Sequence, residues 1–478
     1  MNPHARDPHP VPGTIVLAVC LLAAVGTYKA DGWQDAFAYL LVMVSAVLPG
    51  ILWLRQGAPG LPVFPISALA YVPYAALPIV SAHPALLAYG HTEVLRAAAT
   101  VSLFLVAATI AWRMLSRKSV STSVGGLAPR EGAKVVPLVF IGLLLGLAYQ
   151  FSVASAMVSL GSFQGLVRSI ALTFATIACL LTGVTRAQGV LRGPLWAGAA
   201  AGVGALVLVA FASLFLVGGI TYLLAAGCGY VIVARRVPWA AVITATALVV
   251  ILHAGKGEMR AKYWADRVNY GDALTLTQLP GLAAEWIGEG VKATIAGSEG
   301  QSALQRASIL QYVLLAQAAT PDPVGYLMGE TYARLPSILV PRFLDPGKPA
   351  SQVSMDLLNI RYGLQSDTAA ESTAVGWGLI AEGYANFGYF GVIGIGLLLG
   401  AFCAALANWS QGATLGSPAT WMSAAAMMGL INVEADFISL VLPLLQSFGA
   451  VIMVYAVFHV IVKSGSEGAP LPEQASLL

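Results

Sequence analysis

Residues 195–217 read LWAGAAAGVGALVLVAFASLFLV, without one Asp, Glu, Lys or Arg. A helix rises about 1.5 Å per residue, so this run reaches roughly 34 Å, enough to cross a hydrocarbon core of about 30 Å. A membrane β-strand would instead alternate apolar and polar residues over about ten positions. The solid run therefore selects helices, and a membrane as their solvent.

The rest of the chain agrees. Of its 478 residues, 58% are hydrophobic and 10% charged, against about 25% charged in a soluble domain. Apolar runs are read as spans at 12–28, 36–54, 61–81, 94–114, 135–150, 169–185, 194–213, 214–233, 237–253, 389–407, 417–432 and 438–462. The expected fold is an all-α polytopic membrane protein of about twelve transmembrane helices. Pro62, Pro65, Pro73 and Pro78 interrupt the third run, so it is expected to be kinked or re-entrant. The first run, 11–28, has the length of a signal peptide. Its leading segment holds Arg6 offset by Asp7, and another span follows at once, so it is read as a retained helix.

Basic residues in short loops set the orientation. With a cytoplasmic N-terminus, the inner loops hold Arg6, Arg55, Arg113, Arg117, Lys118, Arg130, Lys134, Arg186, Arg192, Arg235, Arg236 and Lys463. The short outer loops hold only Lys29, Arg96 and Arg168. Both termini are then expected in the cytoplasm. The chain divides into spans at 1–253, an extracytoplasmic loop at 254–388, spans at 389–463 and a disordered tail at 464–478. The loop lies between the ninth and tenth spans.

Net charge is +3, too small to suggest nucleic acid. Cys20, Cys179, Cys228 and Cys403 all lie in apolar runs, form no CxxC and read as packing residues. No internal repeat stands out, and no acid or base sits clearly at mid-membrane, which argues against an ion-coupled pump.

The loop is different. It is too long for a mere connector and is expected to fold as a cap. Ser302–Gln317 is amphipathic, with Leu304, Ile309, Leu310, Val313 and Leu314 on one side, and is expected to lie along the membrane surface. Tyr326–Leu339 reads as a second short helix, followed by a stiff turn over Val340–Pro349. The loop carries Lys256, Arg260, Arg306, Arg334, Arg342, Lys348 and Arg361. Arginine binds phosphate through two parallel hydrogen bonds. The same cations could instead pair with the loop's own acids or with lipid headgroups. Arg342 and Lys348 sit between prolines, which hold them in place. Glu371 and Glu382 flank a Gly-rich step before the tenth span, and a carboxylate there could serve as general base. Tyr384 and Phe387 equally suit an interfacial aromatic belt. Gly396 and Gly400 form a GxxxG that reads as close helix packing. Glu434 and Asp436 make an ExD pair, too little to predict a metal. His253, His83, His91 and Glu93 read as structural interfacial residues.

Three stretches carry a family resemblance: RASILQYV at 306–313, GYLMGETYARLPSILVPRFLDPGKP at 325–349 and ESTAVGWGLIAEGYANFGYFGVIGIGLLLG at 371–400. Their pattern resembles the oligosaccharide repeat-unit polymerases, also called O-antigen or Wzy-type polymerases. The resemblance implies a GT-C-like fold in the bacterial inner membrane with the large loop in the periplasm. It implies polymerisation of undecaprenyl-pyrophosphate-linked repeat units into exopolysaccharide, capsule or O-antigen at the outer face. It implies no cofactor and no catalytic metal, with a chain-length regulator and a flippase as pathway partners. Carried onto this chain, it gives Arg342 and Arg306 to the pyrophosphate, Lys348 to diphosphate or sugar acids, and Glu382 to the base. Lys256, Arg260, Tyr332, Arg334, Arg361, Glu371, Tyr384 and Asn386 complete the expected substrate site. An O-antigen ligase, a lipid-linked oligosaccharide flippase and a non-enzymatic assembly subunit are the rival readings.

Overall fold

The computed structural model describes residues 13–56, 60–81, 83–117, 129–154, 163–212, 214, 216–234, 236–270, 278–295, 308–340, 344–345, 347–349, 352–370, 375–414 and 416–467. Arg306, Arg342 and Glu371 lie outside them, as do residues 468–478. The described part is an all-helical, multi-pass membrane protein. Among the described residues, ten helical segments are long and apolar enough to cross a bilayer.

In chain order the long helices begin with α1 (Gly13–Lys29) and α2 (Trp33–Arg55). A bent third segment joins α3 (Val63–Leu69), a π turn (Val72–Ala76) and α4 (Leu77–Val80). Pro65, Pro73 and Pro78 each lack an N–H for the ladder, and the bend expected of this run is present. Then come α5 (His91–Leu115), α6 (Pro129–Ala154), α7 (Gln164–Ala187), α8 (Gly193–Ala212), α9 (Leu216–Ala234) and α10 (Trp239–Tyr270). The Gly90 N–H donates to the Glu93 carboxylate at 2.8 Å, so an acid closes the first turn of α5, where the helix dipole favours it.

Six shorter helices follow: α11 (Leu279–Ile295), α12 (Leu310–Ala319), α13 (Glu330–Ala333), α14 (Leu335–Leu339), α15 (Val353–Arg361) and α16 (Asp367–Ala370). The chain closes with α17 (Gly378–Ser410), α18 (Pro418–Gly429) and α19 (Phe437–Glu467).

The expected count of twelve spans is therefore not reproduced. α18 starts at a Ser417 cap with Pro418 in its first turn and ends after 12 residues. It covers about 18 Å and cannot cross a hydrocarbon core of about 30 Å. It is buried inside the bundle. α1 is described over 17 residues, at the lower end of the usual spanning length. Hydropathy cannot distinguish a helix buried in protein from one bathed in lipid.

α12 corrects a second expectation. It does not lie flat on a surface. Ile309, Leu310 and Val313 are fully buried, and the helix packs against both α5 and α17. The Ile309 N–H donates to the Tyr74 carbonyl at 2.9 Å, and Gln317 Nε2 donates to Thr100 Oγ1 at 2.7 Å. α17 begins at Gly378, and its backbone breaks at Phe387 and Gly388, so the helix expected to start at 389 follows that break.

Close packing by small residues holds the long helices together. The most extensive helix pairs are α5 with α17 and α7 with α9. A Cβ added at Gly400 would lie 2.1 Å from the Ala108 carbonyl oxygen, and one at Gly396 would lie 2.7 Å from that of Phe104. The GxxxG thus presses α17 onto the α5 backbone. Gly183 and Gly229 do the same between α7 and α9, where an added Cβ would meet the Ala226 or Leu180 carbonyl at 2.0 Å. Outward positions carry Leu21, Leu144, Ile243 and Phe390, as lipid-facing surfaces require.

Candidate functional site

α17 is broken near its start. Phe387 (φ −141°, ψ 19°) and Gly388 (φ 60°, ψ −142°) leave the helical region. At Gly388 the left-handed φ disfavours a side chain, and a Cβ would also meet the Tyr326 hydroxyl at 3.1 Å. The break frees the Ala385 and Asn386 carbonyls from their helical partners, and buried carbonyls need donors. The segment 325–333 supplies them. The Leu327 N–H donates to the Ala385 carbonyl at 3.0 Å, and the Met328 N–H to the Asn386 carbonyl at 3.2 Å. Met328 and Gly329 take positive φ to do so, 51° and 92°.

Asn386, fully buried, locks this join. Its Oδ1 accepts from the Gly329 N–H at 2.9 Å. Its Nδ2 donates to Thr331 Oγ1 and to the Glu382 carbonyl, both at 2.9 Å. The Tyr332 ring then stacks near Phe387 at 6.3 Å and meets Phe437 edge-on at 5.3 Å. Ser354 Oγ donates to the Thr331 carbonyl at 2.9 Å, which ties in α15.

One turn before Asn386 lies Glu382, fully buried. It was expected at the membrane edge just before the tenth span, and it lies in the turn before the break at 387–388, buried against the start of α19. Its Oε2 accepts the Phe437 N–H at 2.7 Å, the first free amide of α19. Asp436, also fully buried, accepts the Ser439 N–H through Oδ1 at 2.8 Å. Two carboxylates thus cap one helix N-terminus, where the dipole favours anions. Burial raises the Asp436 carboxyl above its ordinary value, with the Asp356 charge adding to it and the Ser439 hydrogen bonds opposing. Burial also pushes the Tyr332 phenol up, with Glu382 and Asp436 reinforcing the effect.

The other expected residues are spread around this centre. Arg334 and Arg361 converge on Glu330, with Nη2 atoms 3.2 and 3.3 Å from its two carboxylate oxygens. They stand together one residue before Thr331, partly exposed, at the rim of the buried cluster. Lys348 Nζ donates to the Ile338 and Val340 carbonyls at 2.8 and 2.7 Å. It closes the end of α14 and pins the proline-rich turn. Tyr384 is buried and meets Tyr389 edge-on at 5.3 Å. Lys256 faces Glu434, whose carboxyl is raised by burial and lowered in part by that ammonium. Arg260 Nη2 donates to the Leu214 carbonyl at 3.1 Å, toward α9 rather than the cap.

The structure thus brings together Tyr332, Glu382 and Asn386, with Arg334 and Arg361 beside them. It adds Thr331 and Asp436 to that centre. The sequence reading paired Asp436 with Glu434 as an ExD; the fold pairs it with Glu382. An Asp three residues before a Ser at the start of an apolar helix is an N-cap pattern, and that was the legible sign of its position. Among the described residues, no group of three or more His, Cys, Asp or Glu could hold a metal ion.

No family model matches the chain, and no curated protein or solved structure is similar to it. What the fold establishes is a polytopic, all-helical membrane protein with a buried polar centre where a broken helix receives the segment before α13 and α14.

Proposed function

We propose that this protein is a polysaccharide polymerase that uses polyprenyl-pyrophosphate-linked oligosaccharides. In this reading it has a GT-C-like arrangement, both termini in the cytoplasm and the 254–388 region at the outer face of the bacterial inner membrane. Arg342 and Arg306 bind the pyrophosphate, assisted by Lys348, Arg334 and Arg361, and Glu382 takes the proton from the acceptor sugar hydroxyl. The bond from the donor sugar to pyrophosphate breaks as the bond to the acceptor oxygen forms.

One observation carries the reading: the hydrogen-bonded join of segment 325–333 to the broken helix at 382–388. Two of the three stretches that carry the family resemblance are far apart in sequence and meet at Glu382. Because Glu382 is fully buried beside Tyr332, the reaction requires Tyr332 to move aside on substrate binding.

The test is complementation of a strain lacking the native gene. Glu382→Gln and Arg342→Ala should each reduce long-chain polymer by roughly 100-fold or more, with single lipid-linked repeats accumulating at the outer face. Full-length polymer at full yield from both variants would falsify this assignment.

A second reading is favoured by the burial of Glu382 and Asp436. Ion-coupled carriers keep acids inside the bundle, and a carrier of lipid-linked oligosaccharides would use such a pair. Repeats would then accumulate at the inner face when the gene is lost.

A further inference from the structure

Glu382 and Asp436 each use one carboxylate oxygen to cap α19. The other oxygens, Glu382 Oε1 and Asp436 Oδ2, are buried without a hydrogen bond of normal geometry, as is the Tyr332 hydroxyl. The Thr331 side chain interacts with Glu382, the Ser439 side chain with Asp436 and the Asn386 side chain with Tyr332. Among the described residues, no Lys, Arg or His forms an ion pair with either acid. The charged groups around them are Asp356 on α15, which faces Asp436, and Glu434, which is opposed by Lys256 on α10. The N-terminus of α19 supplies about half a positive charge. Burial disfavours the charged form of both carboxyls unless a positive partner joins them. Two fully buried side chains, Glu382 and Asp436, leave oxygens unpartnered where a positive ligand would sit.

We propose that Glu382 Oε1 and Asp436 Oδ2, with the Tyr332 hydroxyl beside them, bind one monovalent cation, a proton or a sodium ion. This site shares Glu382 with the polymerase reading, in which the cation must leave before that carboxylate takes the acceptor's proton. A carrier would move the cation.

The two sources are separated by thermal unfolding of the purified full-length protein in nanodiscs. Melting is compared in sodium, potassium and choline chloride at equal ionic strength, then in choline chloride across about pH 5 to 9. Sodium binding raises the midpoint by about 2–4 °C over both potassium and choline. Proton binding leaves the salts equivalent and makes the midpoint fall as pH rises. The sign follows from Asp436, whose raised folded value means that its neutral form stabilises the fold at low pH and that the contribution is lost as pH climbs through that value. In either case the response should shrink in Glu382→Gln and Asp436→Asn and persist in Glu285→Gln, a control on α11. If neither site variant folds, the wild type decides: one bound ²²Na⁺ per chain, or one protonated buried carboxyl in the infrared spectrum at neutral pH. A midpoint indifferent to sodium and to pH, responses unchanged in both variants, or the lack of both wild-type signatures overturns the proposal.

Discussion

Asn386→Ala is expected to lower the unfolding free energy by about 3 kcal/mol or more and to release the cap from α17. The side chain makes three hydrogen bonds in a fully buried position. Removing it strands the Gly329 N–H, and each buried group left unpaired costs about 1–3 kcal/mol. Met328 holds a φ of 51°, a left-handed conformation that a side chain disfavours. The released energy of that strain favours undocking once the anchor is gone. Hydrogen exchange reads the result directly. The Leu327, Met328 and Gly329 amides should lose protection together, while α5 and α7 keep theirs. Asn386→Asp should be no milder, since it removes both Nδ2 bonds and adds a negative charge beside the Glu382 carbonyl. Wild-type protection of those three amides in the alanine variant would refute the locking role.

Gly400→Ala is expected to be among the most disruptive single methyls in the membrane bundle. The added carbon would sit 2.1 Å from the Ala108 carbonyl oxygen and 2.9 Å from its Cα. Both atoms belong to backbone, so no side chain can rotate away. The helices must separate, and overpacking of this kind costs about 1–3 kcal/mol. Gly394→Ala on the same helix is the control, because nothing lies within 4 Å of its added carbon. There the better helix propensity of alanine should leave stability unchanged or raise it by up to about 1 kcal/mol. Midpoints that coincide for the two variants would show that α5 and α17 do not meet as described.

The membrane class and the meaning of the GxxxG were legible because both depend on local composition. Charge-free runs have few other uses, and paired glycines four apart put two bare patches on one helix face. What could not be read were facts about neighbours. Pro418 and Gly429 mark the ends of α18, yet hydropathy across 417–432 still favours a span, because burial in protein and burial in lipid select the same residues. α12 was misplaced for the same reason: Ile309, Leu310 and Val313 suit a membrane surface as well as a cleft between α5 and α17. Glu382 and Asn386 were singled out by their place in a motif. Their partners, Thr331 and Asp436, lie some fifty residues away in either direction, and no periodicity reports such pairing.

The join at the broken helix rests partly on main-chain atoms. Leu327 and Met328 contribute only their amides to the Ala385 and Asn386 carbonyls, and the Met328 side chain stays 73% exposed. Such a clasp reads the backbone rather than side-chain chemistry: with φ at 51°, residue 328 can be Asn, Asp or Gly without loss, whereas β-branched residues would strain the clasp.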